Sequence, residues 1–172
     1  MVANAAMRHS RARPLLQPGG VSPMSAYPER LRDLVTTLGL LDERSDRIAM
    51  LIDIAGRFRG VPEHIARHPY PVDHKVPGCE SQAYLFTAER PDHTLAYHFA
   101  VENPQGISAM ALAVILQDTL SGAPLEQVAQ VPGEIVYDLF GRDLSMGKSM
   151  GLMGMVNMVT ATARHAARTA SP

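Results

Sequence analysis

A chain of 172 residues with 46% hydrophobic content, and with 16 basic against 17 acidic side chains, is sized for one domain with an appendage. Its charge balance favours neither nucleic acid nor an anionic membrane as partner. The single cysteine, Cys79, excludes an internal disulfide, a dithiol exchanger and a self-sufficient iron–sulfur scaffold, which need two or more thiols. No apolar run approaches the roughly 20 residues of a membrane span, so a cytoplasmic location is expected.

Residues 1–27 are rich in Ala, Arg, Pro and Ser and lack Asp and Glu, and their apolar residues have no helical period, which predicts a disordered N-terminal tail. Arg8, Arg11 and Arg13 faintly resemble an organelle transit peptide, although a solvated tail or a misplaced start, with Met24 as the true initiator, is the commoner explanation. The domain is expected over 28–168. Pro28 suits a first helical turn, followed by Leu31, Leu34, Val35 and Leu38 at helical spacing, with Gly39 as stop. Asp42 is the expected N-cap of a second helix with Ile48, Leu51, Ile52 and Ala55 as its buried stripe, ending near Gly60 and forming a hairpin with the first. Pro62, Pro69, Pro71 and Pro77 then forbid a long helix and predict an extended surface connection.

That connection ends in Val76-Pro77-Gly78-Cys79-Glu80-Ser81-Gln82. Pro-Gly turns a backbone sharply and is expected to expose the next side chain, whereas an inert cysteine usually sits on a regular apolar face, so Cys79 is the candidate nucleophile. Residues 82–88 and 94–101 alternate as strands, the second with Leu95, Tyr97, Phe99 and Val101 on one face. The short Pro91-Asp92-His93 turn makes them an antiparallel pair covered more heavily on one side. Asn103 and Pro104 read as N-cap and first residue of a helix to about Leu120, apolar all round and therefore central, with Gly122 closing it. Short helical pieces follow at Pro124–Val128 and Pro132–Phe140. A last helix from about Lys148 is expected to bury Leu152, Met155, Val156, Val159 and Ala163, with Met146, Met150, Met153 and Met158 as further packing.

This layout, centred on the Gly-Cys-x-Ser-Gln turn running into Ala83-Tyr84-Leu85-Phe86, resembles the SufE-type sulfur acceptors over roughly residues 28–168. Ser121-Gly122-Ala123-Pro124 looks like that family's short link between helices, shortened by one residue. The resemblance implies an α+β fold, a small antiparallel sheet with helices packed mainly on one face, shared with the scaffold family similar to IscU. It also implies a role: taking sulfur from a SufS-like cysteine desulfurase, which uses pyridoxal phosphate, and delivering it to a SufBCD-type cluster-assembly complex, with no cofactor in this chain. Homodimer formation is left open.

On that resemblance Cys79 carries the sulfur as a persulfide, on an active-site loop of Pro77, Gly78, Glu80, Ser81 and Gln82, supported by Asn103 and Lys148. Three positions depart from the family's usual pattern. Glu80 stands where Gln is commoner, and an acidic neighbour disfavours a thiolate. Asn103 stands where Asp usually begins the buried helix, which keeps the capping role and loses the charge. Lys148 stands where Arg is frequent, keeping charge without the planar fork. An ordinary thiol, with a pKa of about 8.5, is mostly protonated at neutral pH, so activation is expected from loop dipoles, Lys75, Lys148 or the partner. Three other readings are a cysteine hydrolase using His64, His68, His74 or His98 as base, a metal site of His64, His68, His74 and Cys79, and an interaction module with an inert thiol.

Overall fold

The computed structural model describes residues 26–170; nearly all of the expected tail, residues 1–25, lies outside them. Tyr27, one residue before the expected domain start, is already buried in the core. Helix α1 (Glu29–Gly39) begins behind Pro28, whose carbonyl accepts hydrogen bonds from the amides of Leu31 and Arg32, and it buries Leu31, Val35 and Leu38. Helix α2 (Arg44–Gly56) starts two residues after the expected cap, with Glu43 in the N-cap position, and ends at Gly56. Of the expected stripe Leu51 and Ala55 are buried, joined by Ile54, whereas Ile48 is 44% and Ile52 57% exposed. Two apolar sets of helical spacing overlap in this segment, and packing against the following elements selects the one that continues to the partly buried Phe58. The expected hairpin is corrected as well, since α1 and α2 pack on α3 and α5 more than on each other.

Strands β1 (Ala83–Glu89) and β2 (Leu95–Val101) form a two-stranded antiparallel sheet, with Ala83 opposite Val101 and Glu89 opposite Leu95. Alternation decides which face each residue serves. Leu85, Leu95, Tyr97 and Phe99 enter the main core. Burial pushes the phenol of Tyr97 well above its ordinary pKa, and its hydroxyl has no hydrogen-bond partner. Tyr84, Phe86 and Ala100 face the other way. There the proline-rich connection is more than a surface strap: Val61, Ile65, Ala66 and Tyr70 pack on this face as a second, smaller core. Tyr70 sits 5.2 Å from the Tyr84 ring and 5.6 Å from Phe86, and His74, in a 3-10 turn at Val72–His74, stacks on Phe86 at 4.5 Å.

Helix α3 (Ile107–Leu120) is the central element, buried on nearly every side as its uninterrupted apolar composition requires, and Gly122 follows it with φ +75°. It starts later than Asn103-Pro104 suggests. The Asn103 carboxamide oxygen accepts from the Gln105 amide at 2.9 Å, closing a turn of its own two residues on, so the helix is delayed to Ile107. Short helices α4 (Leu125–Val128) and α5 (Ile135–Phe140) lead to α6 (Met146–Ala170), 25 residues long. Its core stripe is the expected one, Leu152, Met155, Val156, Val159 and Ala163, with Met153 and Met158 packed against the core. Met146 and Met150 are not packing residues: they are 78% and 58% exposed.

The α6 stripe supports a direct test of the fold. Val156 is fully buried, so Val156→Asp places an unpaired carboxylate in apolar surroundings at a cost of several kcal/mol, comparable to the whole stability of a small domain. The variant is expected to unfold or aggregate, read by circular dichroism and size-exclusion chromatography; a folded monomer would show the helix phase to be wrong.

Candidate functional site

The segment Val76–Ala83 is a loop whose ends are tied by one backbone hydrogen bond, from the Val76 amide to the Ala83 carbonyl at 2.8 Å. Inside it are two successive turns. The Cys79 amide faces the Val76 carbonyl at 3.4 Å across Pro77-Gly78, with Gly78 at φ +68°, the geometry in which proline is favoured first and glycine second. The Gln82 amide then donates to the Cys79 carbonyl at 3.0 Å, with Gln82 itself at φ +51°. The loop is laced to the end of β2 by two further bonds, from the Glu102 amide to the Gln82 carbonyl and from the Asn103 amide to the Ser81 carbonyl.

The loop does not project its cysteine into solvent. Cys79 retains 9% of its surface and belongs to the main core, which corrects the expected exposure. The reason lies about 70 residues away. Three glycines of α6, Gly147, Gly151 and Gly154, lie along one face of the helix at i, i+4 and i+7; the loop backbone rests on Gly151 and Gly154, and the Glu80 side chain on Gly147. A Cβ on Gly151 would stand 3.1 Å from the Cys79 Cα, and one on Gly154 would stand 3.0 Å from the Pro77 carbonyl oxygen. Gly106 plays the same part opposite, where a Cβ would meet the Ser81 side chain at 2.8 Å. The Gly-x-x-x-Gly-x-x-Gly spacing in α6 is the signal the sequence offers for this contact, and the methionines interleaved with it draw the eye to packing instead.

Cys79 lines a cavity of about 300 Å³ with Glu80, Ser81 and Asn103 on one side, Gln105 to Ala109 at the start of α3, and Gly147, Lys148, Gly151 and Leu152 from α6. Of the residues singled out in the sequence, Cys79, Glu80, Ser81, Asn103 and Lys148 therefore meet here, while Pro77, Gly78 and Gln82 shape the loop without lining the cavity. The N-terminal end of α3 contributes what single residues do not: the first-turn amides of a helix have no partner within it and carry its positive end, which favours an anion. Lys148 adds a full positive charge. Glu80 lines the same cavity, its Oε1 3.0 Å from where a Cβ on Gly147 would sit, so the carboxylate lies over the first turn of α6 and that helix's positive end offsets its charge.

The remaining candidates are elsewhere. Lys75 lies on the back of the sheet, its Nζ 5.9 Å from the Tyr84 ring centroid, with its backbone bridged to Tyr84. His74 is hydrogen-bonded through Nδ1 to the Leu85 carbonyl, and His68 Nε2 is 3.0 Å from Glu102. Burial, with a smaller contribution from the nearby His64, holds His98 below the ordinary histidine pKa. None of the four histidines lines the cysteine's cavity, so the hydrolase reading has no base, and among the described residues no three His, Cys, Asp or Glu side chains converge as a metal ion would require.

The glycine floor can be probed through the thiol it hides. Gly151→Ala is expected to push the loop off α6 by a few tenths of an ångström or more, while the helix itself gains up to about 1 kcal/mol of propensity. Alkylation of Cys79 by iodoacetamide should accelerate several-fold with the helical circular dichroism unchanged; an unaltered alkylation rate would show that Gly151 does not hold the thiol down.

Comparison with curated proteins finds no match. Among solved structures the fold is similar to the solution structure of a hypothetical protein from Thermus thermophilus, with a TM-score of 0.63 over 83% of this chain and 98% of that one, at 18% identity. The likeness establishes a shared architecture. Among the described residues no helix is long and apolar enough to cross a membrane. The family model described as "SufE: Fe-S metabolism associated domain" matches residues 32–163, from the first helix through the last and with the cysteine loop inside it, and the chain therefore belongs to the SufE family of iron–sulfur metabolism.

Proposed function

We propose that the protein is a sulfur carrier: Cys79 accepts the outer sulfur of a persulfide on a cysteine desulfurase and passes it to an iron–sulfur cluster assembly scaffold of the SufBCD type. In the first step the Cys79 thiolate attacks the outer sulfur of the donor persulfide. One S–S bond forms as another breaks, the donor cysteine leaves as a thiolate, and the proton of the Cys79 thiol passes to solvent or to the partner. The exchange is redox-neutral and needs no cofactor in this chain; the pyridoxal phosphate belongs to the desulfurase. Clearing the donor cysteine accelerates its turnover.

The observation that carries this reading is the company Cys79 keeps: the sole thiol lines a cavity with the positive end of α3, with Lys148, with a Glu80 carboxylate drawn over the first turn of α6, and with no histidine. Thiolates and persulfide anions are stabilised by such surroundings, whereas acyl transfer or metal binding needs groups that are not there. The cavity also has room for one more sulfur atom beside the thiol, and burial shelters a bound persulfide from stray oxidants and thiols.

Two experiments test it. Incubated with the source organism's cysteine desulfurase and L-cysteine, the protein should gain the mass of sulfur on Cys79, reversibly under a thiol reductant, and should stimulate the desulfurase. Cys79→Ser should abolish both effects while still folding; full stimulation by the serine variant would leave an interaction module with an inert thiol as the surviving reading. Lys148→Ala should slow sulfur acceptance several-fold without loss of fold, and Lys148→Arg should preserve or improve it. Equal rates for all three proteins would remove Lys148 from the site.

A further inference from the structure

Among the described residues seven large apolar side chains stand exposed, and three of them line one groove. Ile48 and Ile52 of α2 and Ile107 at the start of α3 line a groove of about 350 Å³, closed at its far end by Phe140 and Leu144. Met146 and Met150 stand on the α6 turns whose Gly147, Lys148 and Gly151 line the cavity of Cys79. The groove and that cavity adjoin, sharing Ile107, Ser108 and Lys148 in their walls. Clustered apolar exposure of this kind marks a surface that another molecule covers.

The chemistry at Cys79 says which molecule. Sulfur passes only when the donor sulfur reaches bonding distance, about 2 Å, so the donor protein must seat itself over the thiol. A specific interface covers about 800 Å² on each partner, a patch roughly 16 Å in radius, and a groove sharing three residues with the thiol's own cavity falls inside it. Charge narrows the match. Arg44 on the rim is 3.7 Å from Asp143, but Lys148 has no acidic partner among the described residues. We propose that this groove is the docking surface for the cysteine desulfurase, taking an apolar side chain of the donor among Ile48, Ile52 and Ile107 with a donor carboxylate placed on Lys148. The assignment rests on the carrier reading for the identity of the partner, and it adds that α2, which is remote from Cys79 in sequence, selects it.

Ile52→Asp tests it, because a carboxylate there opposes both the apolar contact and the acidic partner group. With the desulfurase and L-cysteine, the concentration of carrier giving half-maximal persulfidation should rise about tenfold or more, with the saturated rate within about twofold of wild type. Ile52→Leu should match wild type, and so should Val72→Asp, an exposed apolar site outside the groove. An unchanged half-saturation for Ile52→Asp overturns the proposal. Binding is read separately by titration calorimetry in a Cys79→Ser background, where no sulfur moves: a tenfold weaker association for Ile52→Asp supports the groove even if wild type accepts no sulfur, and absence of desulfurase binding by the parent protein overturns it. A change in self-association alone, seen by light scattering, would assign the groove to a second copy and also overturn it. Should Ile52→Asp prove unstable, Ile107→Asp serves in the same background, since aspartate is favoured in the first turn of a helix.

Discussion

The approach of a loop backbone to the face of α6, within van der Waals distance of the helix's own backbone, is the contact on which the site depends. It is possible only where the helix has no side chains: Gly151 and Gly154 clear the track for the backbone, and Gly147 makes room for the Glu80 side chain. Each glycine costs a helix roughly 1 kcal/mol relative to alanine. The helix bears this because it is 25 residues long and is pinned by a stripe of fully buried residues on its other side. With the loop lying flat, the Cys79 side chain has nowhere to go but inward, between α6 and the start of α3. The buried thiol, its cavity and its electrostatic setting all follow from that one permitted approach.

The setting is built from two helix ends used in opposite senses. The residues at the positive end of α3 line the cavity, with Lys148 beside them, so the place where sulfur would be held favours negative charge. The positive end of α6 is occupied by Glu80, which the local sequence would place as an electrostatic burden on the thiol. One helix end thus attracts the charge that matters, and the other neutralises the charge that would interfere. A Gln at position 80 would give the cysteine a neutral neighbour and remove the carboxylate from the first turn of α6.

How much of this is legible from the sequence depends on how local the cause is. The Pro77-Gly78 turn, the β1–β2 hairpin and the Leu152-to-Ala163 stripe are readable because turn chemistry and periodicity act over a few residues. The phase of α2 is not, since Leu51 and Ala55 belong to two apolar sets and only packing chooses between Ile48-Ile52 and Ile54-Phe58. Asn103 has the character of a helix cap, yet its carboxamide is consumed by a turn whose last residue, Gly106, must be bare to clear Ser81. The burial of Cys79 is the furthest out of reach. Everything local to it signals exposure, and the glycines that reverse the signal lie in the last helix. The proline-rich lead-in reads as a strap because proline forbids helix, while its Tyr70 and Ile65 act through aromatic and aliphatic contacts that impose no periodicity.

The bond between Val76 and Ala83 that closes the loop also sets a length. Cys79 is three residues from the first anchor, and a fully extended chain gains no more than about 3.6 Å per residue, so while that bond holds, the Cys79 Cα stays within about 11 Å of Val76 however completely the loop lifts away, and the sulfur only a side chain's length beyond it. On the proposed reading, a tether so short suits a hand-to-hand carrier and not a swinging arm: it cannot span two active sites of one assembly. Each transfer then requires the giver and the taker to be met in turn by the same small face, which makes their visits mutually exclusive and orders the traffic of sulfur without any separate gate.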